Sequence, residues 1–211
     1  MTAKEIWNEK IGAQVVKALE ANRFEAYYCA DRNEAKQKIL SLIPRDETVS
    51  WGGCLTMEEI GVIDELRNGG YSVIDRETAK SPEERAELMR NALLCGTFLS
   101  GTNAITESGQ LVNIDGNGNR AAALIYGPKR VIIACGTNKI VRSAEDALIR
   151  ARTIAAPVNA QRFDIKTPCT ITGKCADCSS DDCICNVFVT TRRSKPAGRI
   201  KVVIIGETLG F

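Results

Sequence analysis

The chain contains no histidine. That removes every His-based triad, every imidazole general base and every imidazole metal ligand. Acid–base work falls to Asp, Glu, Lys, Tyr or Cys, and any zinc or iron site must be rich in thiolate. Aromatics make up only 5% of the 211 residues, which leaves no stacking platform for single-stranded nucleic acid. The formal net charge is +2, so nothing in the balance calls for nucleic acid or an anionic membrane. No apolar run approaches the ~20 residues that span a bilayer. Residues 2–14 are mixed and charged, unlike the apolar core of a signal peptide. These absences predict a cytoplasmic chain with neither a nucleic-acid nor a membrane partner. The dinucleotide fingerprint G-x-G-x-x-G and the P-loop are missing too, so no flavin or NAD motif is seen.

What is present is an ordinary globular composition, 44% hydrophobic and 26% charged. The length suits one domain over 1–211 that buries its own core. Apolar positions at three- and four-residue steps predict a helix over 3–22. Strands are predicted at 24–29, 47–51, 71–75, 95–101, 110–114, 121–126, 130–135, 187–191 and 201–205. Further helices are predicted at 34–43 behind Asn33, from Thr56 to about Gly69, from Ser81 to about Leu94, and from Ser143 to Pro157. Thr56 with Glu59 three residues on has a capping-box pattern. Pro82 with acids in the first turn marks another helix start. Strands alternating with helices predict an α/β fold, a mainly parallel sheet flanked by helices, with an irregular Cys-rich loop over 166–186 and a C-terminal β segment.

Trp51-Gly52-Gly53-Cys54-Leu55-Thr56 lies between a predicted strand and helix. In parallel sheets the ligand crevice lies beyond the carboxyl ends of strands, and a helix N-terminus there suits an anion. The same residues also satisfy a tight turn with no ligand. Between 101 and 142 short polar groups gather at strand ends. Glu107, Asp115 and Arg120 offer a base, an orienter and an anion clamp, and Asn103, Asn113 and Asn119 offer hydrogen bonds. Asp-Gly-Asn-Gly-Asn over 115–119 equally meets the needs of a flexible turn. Lys139 is either an anion partner or a solvated surface charge.

Nine cysteines in a reducing compartment are not a disulfide framework, and the odd count agrees. Five of them, Cys169, Cys175, Cys178, Cys183 and Cys185, fall in one short stretch containing a C-x-x-C pair. A thiolate set of this kind suits zinc or an iron–sulfur cluster, though the spacing matches neither a zinc finger nor a bacterial ferredoxin. Redox-active thiols and inert packed thiols are the other readings. Cys29, Cys95 and Cys135, in predicted strands, fit the inert one.

The run Trp51–Gly61, the segment Gly101–Thr106, the stretch Asn138–Val141, the loop Thr167–Cys178, and the C-terminal Ile184–Asn186 and Gly206–Phe211 together resemble the lactate-utilisation (LUD-domain) family over nearly the whole chain. The resemblance implies a fold like the sugar-phosphate isomerase and CoA-transferase (NagB/RpiA-like) superfamily. It implies a link to oxidation of L-lactate to pyruvate, with iron–sulfur oxidoreductase subunits as partners. It matches Cys169, Cys175, Cys178 and Cys185 to a family pattern of four cysteines, with Cys183 standing where a basic residue is expected. It places a ligand crevice at Gly52, Gly53, Thr56, Asn103 and Glu107, and assigns no catalytic acid or base. Three functions are therefore expected as rivals. One is an enzyme or accessory subunit oxidising a small anionic 2-hydroxy acid, with Glu107 as base. The second is a metal-binding or redox-sensing module. The third is an enzyme of the sugar-phosphate isomerase or CoA-transferase kind. A homodimer is the default oligomer.

Overall fold

The computed structural model describes all residues 1–211. Helix α1 (Ala3–Ala21) starts where the Thr2 hydroxyl accepts from the Glu5 amide and the Glu5 carboxylate accepts from the Thr2 amide. Strand β1 (Glu25–Cys29) follows, then α2 (Arg32–Ser41), whose cap is Asp31 rather than Asn33. After β2 (Val49–Trp51) the expected single helix is two, α3 (Leu55–Glu59) and α4 (Val62–Asn68). Gly61, with φ +72°, breaks it, because a left-handed residue cannot continue a right-handed helix. Then come β3 (Val73–Ile74), α5 (Pro82–Asn91) capped by Ser81, β4 (Thr97–Gly101), β5 (Ala104–Thr106) and β6 (Leu111–Asp115).

Residues 121–126, expected as a strand, belong instead to α6 (Asn119–Ile125). The Asp115 carboxylate explains the difference: one oxygen accepts from Gly118 N at 3.1 Å and the other from Ala121 N at 2.9 Å. These bonds satisfy amides at the helix start, and three consecutive alanines propagate it. The chain continues through β7 (Arg130–Gly136), β8 (Ile140–Val141) and α7 (Ala144–Arg150), boxed by Ser143 and Asp146. Pro157 does not stop that helix. A π turn at Ala151–Ala155 intervenes, and Pro157 falls in the first turn of α8 (Ala156–Ala160), where its missing N–H is no loss. The chain ends with α9 (Pro168–Thr172), β9 (Val187–Thr191) and β10 (Ile200–Ile205).

Six strands form a wholly parallel sheet in the order β1-β10-β7-β4-β2-β3. The last strand in sequence is thus inserted between β1 and β7, one place in from the edge. Both faces of this sheet are covered, which is why β7 and β10 read as unbroken apolar runs. Successive residues alternate between two cores. Ile132, Val203 and Ile205 pack with Ile39, Met57 and Leu66 on one face, while Val131, Ile133, Val202 and Ile204 pack with Val15, Leu19 and Phe98 on the other. A second, four-stranded sheet runs β8-β5-β6-β9. Its β5 leaves the carboxyl end of β4 and its β8 leaves that of β7, so it rises beside the carboxyl edge of the main sheet. No helix is long and apolar enough to cross a membrane.

The β5–β6 turn locks the second sheet onto α1. Gly109 has φ +75°, and a Cβ there would lie 2.7 Å from the Ala18 and Leu19 backbone. Gly70 has φ +74° with nothing within 4 Å of such a Cβ. Gly70→Ala is expected to cost about 1 kcal/mol, the penalty of the left-handed backbone alone. Gly109→Ala is expected to cost about 3 kcal/mol or more, since backbone must also move. Denaturant midpoints measure both, and equal costs would contradict the packing described.

Candidate functional site

The main sheet's carboxyl edge carries a polar cavity of about 680 Å³, lined by residues following β2, β4 and β7, by the 114–120 turn and by Phe211. Its floor is the Gly52–Thr56 turn. Gly52 continues the ladder by donating to Leu99 O at 3.0 Å. Three cations close on this turn. The Arg120 side chain lies against Gly52, where a Cβ would come within 3.0 Å of Cδ. The Arg76 guanidinium approaches Gly53, 3.1 Å from where a Cβ would stand. Lys139 Nζ donates to the Thr56 hydroxyl at 3.2 Å. Thr56 is therefore not the helix cap expected from its pattern. Cys54 holds that position without a side-chain bond.

The three cations differ in what they have left to give. Arg120 Nη1 donates to Gly101 O at 3.3 Å and Asn113 Oδ1 at 2.6 Å, and Nη2 to Asn103 Oδ1 at 3.3 Å and Ile114 O at 2.7 Å. Its Nε lies 3.8 Å from Asp115. Burial lowers its pKa, against the pull of Asp115, yet a guanidinium stays charged. Arg120 thus ties β4, β6 and the turn together and presents a fixed charge, rather than acting as a free clamp. Asn113 stands behind it, outside the cavity lining, with its carboxamide nitrogen buried and unpartnered. Asp115 lines the cavity but spends both oxygens on the start of α6. Arg76 shares the Glu77 carboxylate with Arg85. That carboxylate sits at about 2, held down first by Arg85 and then by Arg76, against burial.

Lys139 is only 4% exposed. Beyond the Thr56 hydroxyl its Nζ makes no hydrogen bond or ion pair. Burial lowers its pKa; the Cys135 and Cys54 thiols and Glu59 work the other way, and Arg150 adds to the lowering. Those thiols are no counter-anion, since burial raises both, Cys135 to about 11. The C-terminal tail seals the residue. Leu209 N donates to Asn138 Oδ1 at 3.2 Å and Gly210 N to Glu59 at 2.8 Å. A Cβ on Gly210 would come within 2.6 Å of the Thr56 hydroxyl and 3.0 Å of Lys139 Nζ.

Of the expected site residues, Gly52, Gly53, Thr56, Asn103, Asp115, Asn119, Arg120 and Lys139 all line this cavity. Glu107 does not join them. It is exposed in the turn between β5 and β6, and its amide is tied to Val141 O at 2.8 Å. The tight Thr106–Gln110 turn carries it away from the carboxyl edge of the main sheet, so it is not placed to act as a base there. Arg76 and the Gly210 tail are participants the motifs did not single out. Only the C-terminal Gly206–Phe211 run hinted at the tail.

The five clustered cysteines line a second cavity of about 80 Å³, with Thr167, Phe188 and the Arg152–Asp177 ion pair. Burial and the neighbouring Cys183, Cys175 and Cys169 sulfurs hold the Cys185 thiol up at about 12. Cys178 is lowered by hydrogen bonds from Ser180. No three His, Cys, Asp or Glu side chains converge as a ready ligand set. The donor chemistry nonetheless fits a thiophilic metal, since all five sulfurs border one space and none is fully buried. Cys29, Cys95 and Cys135 are buried in the core, with pKa values raised to between about 11 and about 12 by burial. Cys183 and Ile184 also line the large cavity. Gly116 lies beside the Ile184 backbone, and Asn186 N donates to Asp115 O at 3.0 Å. The cysteine segment therefore rests on the turn that carries Asp115 and Arg120.

A parallel α/β protein with a cation-floored cavity at the carboxyl edge of its sheet is the class that fold and site define. The chain belongs to the LUD domain family, whose model matches residues 12–205. It is similar in structure to a DUF162 family protein from Deinococcus radiodurans, with TM-score 0.56 and 13% identity, covering 94% of this chain and 98% of that one. Ribose 5-phosphate isomerase A from Neisseria gonorrhoeae matches with TM-score 0.35 and 16% identity over 54% of each chain. The eIF2B-beta2-delta2 complex from C. thermophilum matches with TM-score 0.41 and 19% identity over 82% of this chain and 54% of that one. No curated protein matches the sequence.

The unpaired ammonium has a stability signature. Unfolded, Lys139 holds its proton up to the ordinary value of 10.5; folded, it releases it earlier. Between those two values unfolding takes up a proton, so stability rises with pH there. Lys139→Met is expected to remove that slope and to stabilise the protein by about 1–3 kcal/mol at pH below the depressed value. Denaturation across a pH series measures it. A destabilised variant with the slope intact would contradict the burial argument.

Proposed function

We propose that this protein binds a small 2-hydroxy or 2-oxo carboxylate on the Gly52–Thr56 floor and serves as an enzyme or accessory subunit in oxidation of L-lactate or a similar acid. The family is associated with lactate utilisation. The observation that carries the reading is Lys139, a buried cation that borders the polar cavity and makes no ion pair with any carboxylate of the protein. An isolated buried charge is costly, and a ligand carboxylate offsets that cost. Arg76 and Arg120 add charge on the other side of the turn. Electrons from the substrate would pass to an iron–sulfur partner subunit. The isomerase or transferase reading loses the carboxylate assigned to it, since Glu107 lies away from the cavity.

Pyruvate and L-lactate are expected to raise the melting temperature saturably. A ligand at 100 times its Kd adds about 2.7 kcal/mol, which is several degrees for a chain of this size. Acetate is expected to do less and ribose 5-phosphate nothing. Lys139→Met should abolish the ligand-induced rise while starting from a higher baseline. An undiminished rise in that variant would overturn the assignment.

A second reading concerns the cysteine cavity, and five thiols around one space favour it. We propose that Cys169, Cys175, Cys178 and Cys185 hold zinc or an iron–sulfur cluster, with Cys183 as an additional thiol on the cavity side. Binding would order a segment that has little regular structure. Protein purified without oxygen should carry zinc or iron in fixed proportion to chain. Cys175→Ser with Cys178→Ser should lose it, and metal retained in that double variant would refute the ligand set.

A further inference from the structure

Lys139 has the surroundings of a nucleophile as well as those of a counter-charge. We propose that Lys139 Nζ condenses with the carbonyl carbon of a 2-oxo acid held in the large cavity, forming an imine. This rests on the carboxylate-binding reading above.

Four features converge on it. The only protein partner of Nζ is a neutral hydroxyl, Thr56 at 3.2 Å, so the free amine forfeits no ion pair. Lys139 is the only lysine among the buried residues, and burial without an ion pair favours the uncharged, nucleophilic form. The side chain nonetheless borders a cavity of about 680 Å³, space enough for a small acid. The backbone is held on both sides, by β8 pairing with β5 and by the Gly210 tail folded over Thr56 and Nζ.

The rest of the floor supplies what such a substrate needs. Arg76 at Gly53 and Arg120 at Gly52 are fixed positive charges that keep hold of the carboxylate once Lys139, which first pairs with it as an ammonium, gives up its proton and turns to the adjacent carbonyl. The amine lone pair adds to the carbonyl carbon, and the π pair moves to oxygen. A proton passes from nitrogen to that oxygen through the Thr56 hydroxyl, giving a carbinolamine. Loss of water then gives the imine. Amine and ketone become imine and water, with nothing oxidised or reduced. The neighbouring cations favour the negative charge that develops on oxygen.

The test is reductive trapping on the whole protein. Pyruvate with sodium cyanoborohydride near neutral pH is followed by peptide mapping in a mass spectrometer, with the pyruvate-induced melting shift measured in parallel. The expected result is one dominant reduced pyruvyl adduct, on the peptide holding Lys139. L-Lactate, which has no carbonyl, should suppress it by competition. Thr56→Val should slow labelling several-fold, and Lys139→Arg should lose the adduct. Labelling spread evenly over exposed lysines, or no adduct, with the melting shift still present, would overturn the imine and leave the carboxylate reading standing. Absence of both adduct and melting shift would overturn the two together.

Discussion

An ammonium buried without a counter-ion is the constraint around which this molecule is arranged. Lys139 follows the carboxyl end of strand β7, where three residues suffice to bring the chain from Gly136 to β8. Gly136 has no room for a side chain beside Asn138 and the Glu207–Leu209 backbone, so the turn and the C-terminal tail pack as one piece over the lysine. Arg76, Arg85 and Arg120 are each ion-paired with a carboxylate, whereas Lys139 is paired with none, Glu59 standing beyond ion-pair distance. Natural cores neutralise or pair such groups unless function retains them. The cost is borne by a core whose strand β10 is almost wholly apolar, with Val202, Val203, Ile204 and Ile205 wholly buried.

Arg120 explains why the site keeps its shape. Its guanidinium bridges Gly101, Asn103, Asn113 and Ile114, joining the end of the main sheet to the second one. Asp115 starts the helix on which Arg120 rides. The cysteine segment sits on the same turn through Asn186 and Ile184, and Cys183 reaches both cavities. A change in that segment therefore acts on the wall of the ligand cavity through direct contacts, with no long-range path required.

Much of the fold was legible because burial on both faces writes itself as apolar runs. Residues 130–135 and 201–205 admit no other reading, and Ser81-Pro82 and Ser143 announce their helices by cap chemistry. What escaped depended on partners distant in sequence. Residues 121–126 contain β-compatible Leu, Ile and Tyr, yet Asp115 caps them into a helix. The break at Gly61 is a single left-handed residue inside a helical pattern. In the site, the glycines and short polar groups singled out by their motifs lie along one cavity at the carboxyl edge. Glu107 was misjudged because a hairpin turn, invisible as periodicity, aims it elsewhere. The importance of Lys139 could not be read from a lone lysine, since only the three-dimensional count of its partners shows that it has one.

The most direct test of the account is the titration of the Lys139 amine itself, followed by NMR of lysine side chains labelled with nitrogen-15 and assigned with Lys139→Arg. The account predicts one lysine that titrates below the others, and whose value rises when L-lactate, which has no carbonyl to condense, supplies a carboxylate. A Lys139 that titrates with the surface lysines, and is unmoved by L-lactate, would contradict it.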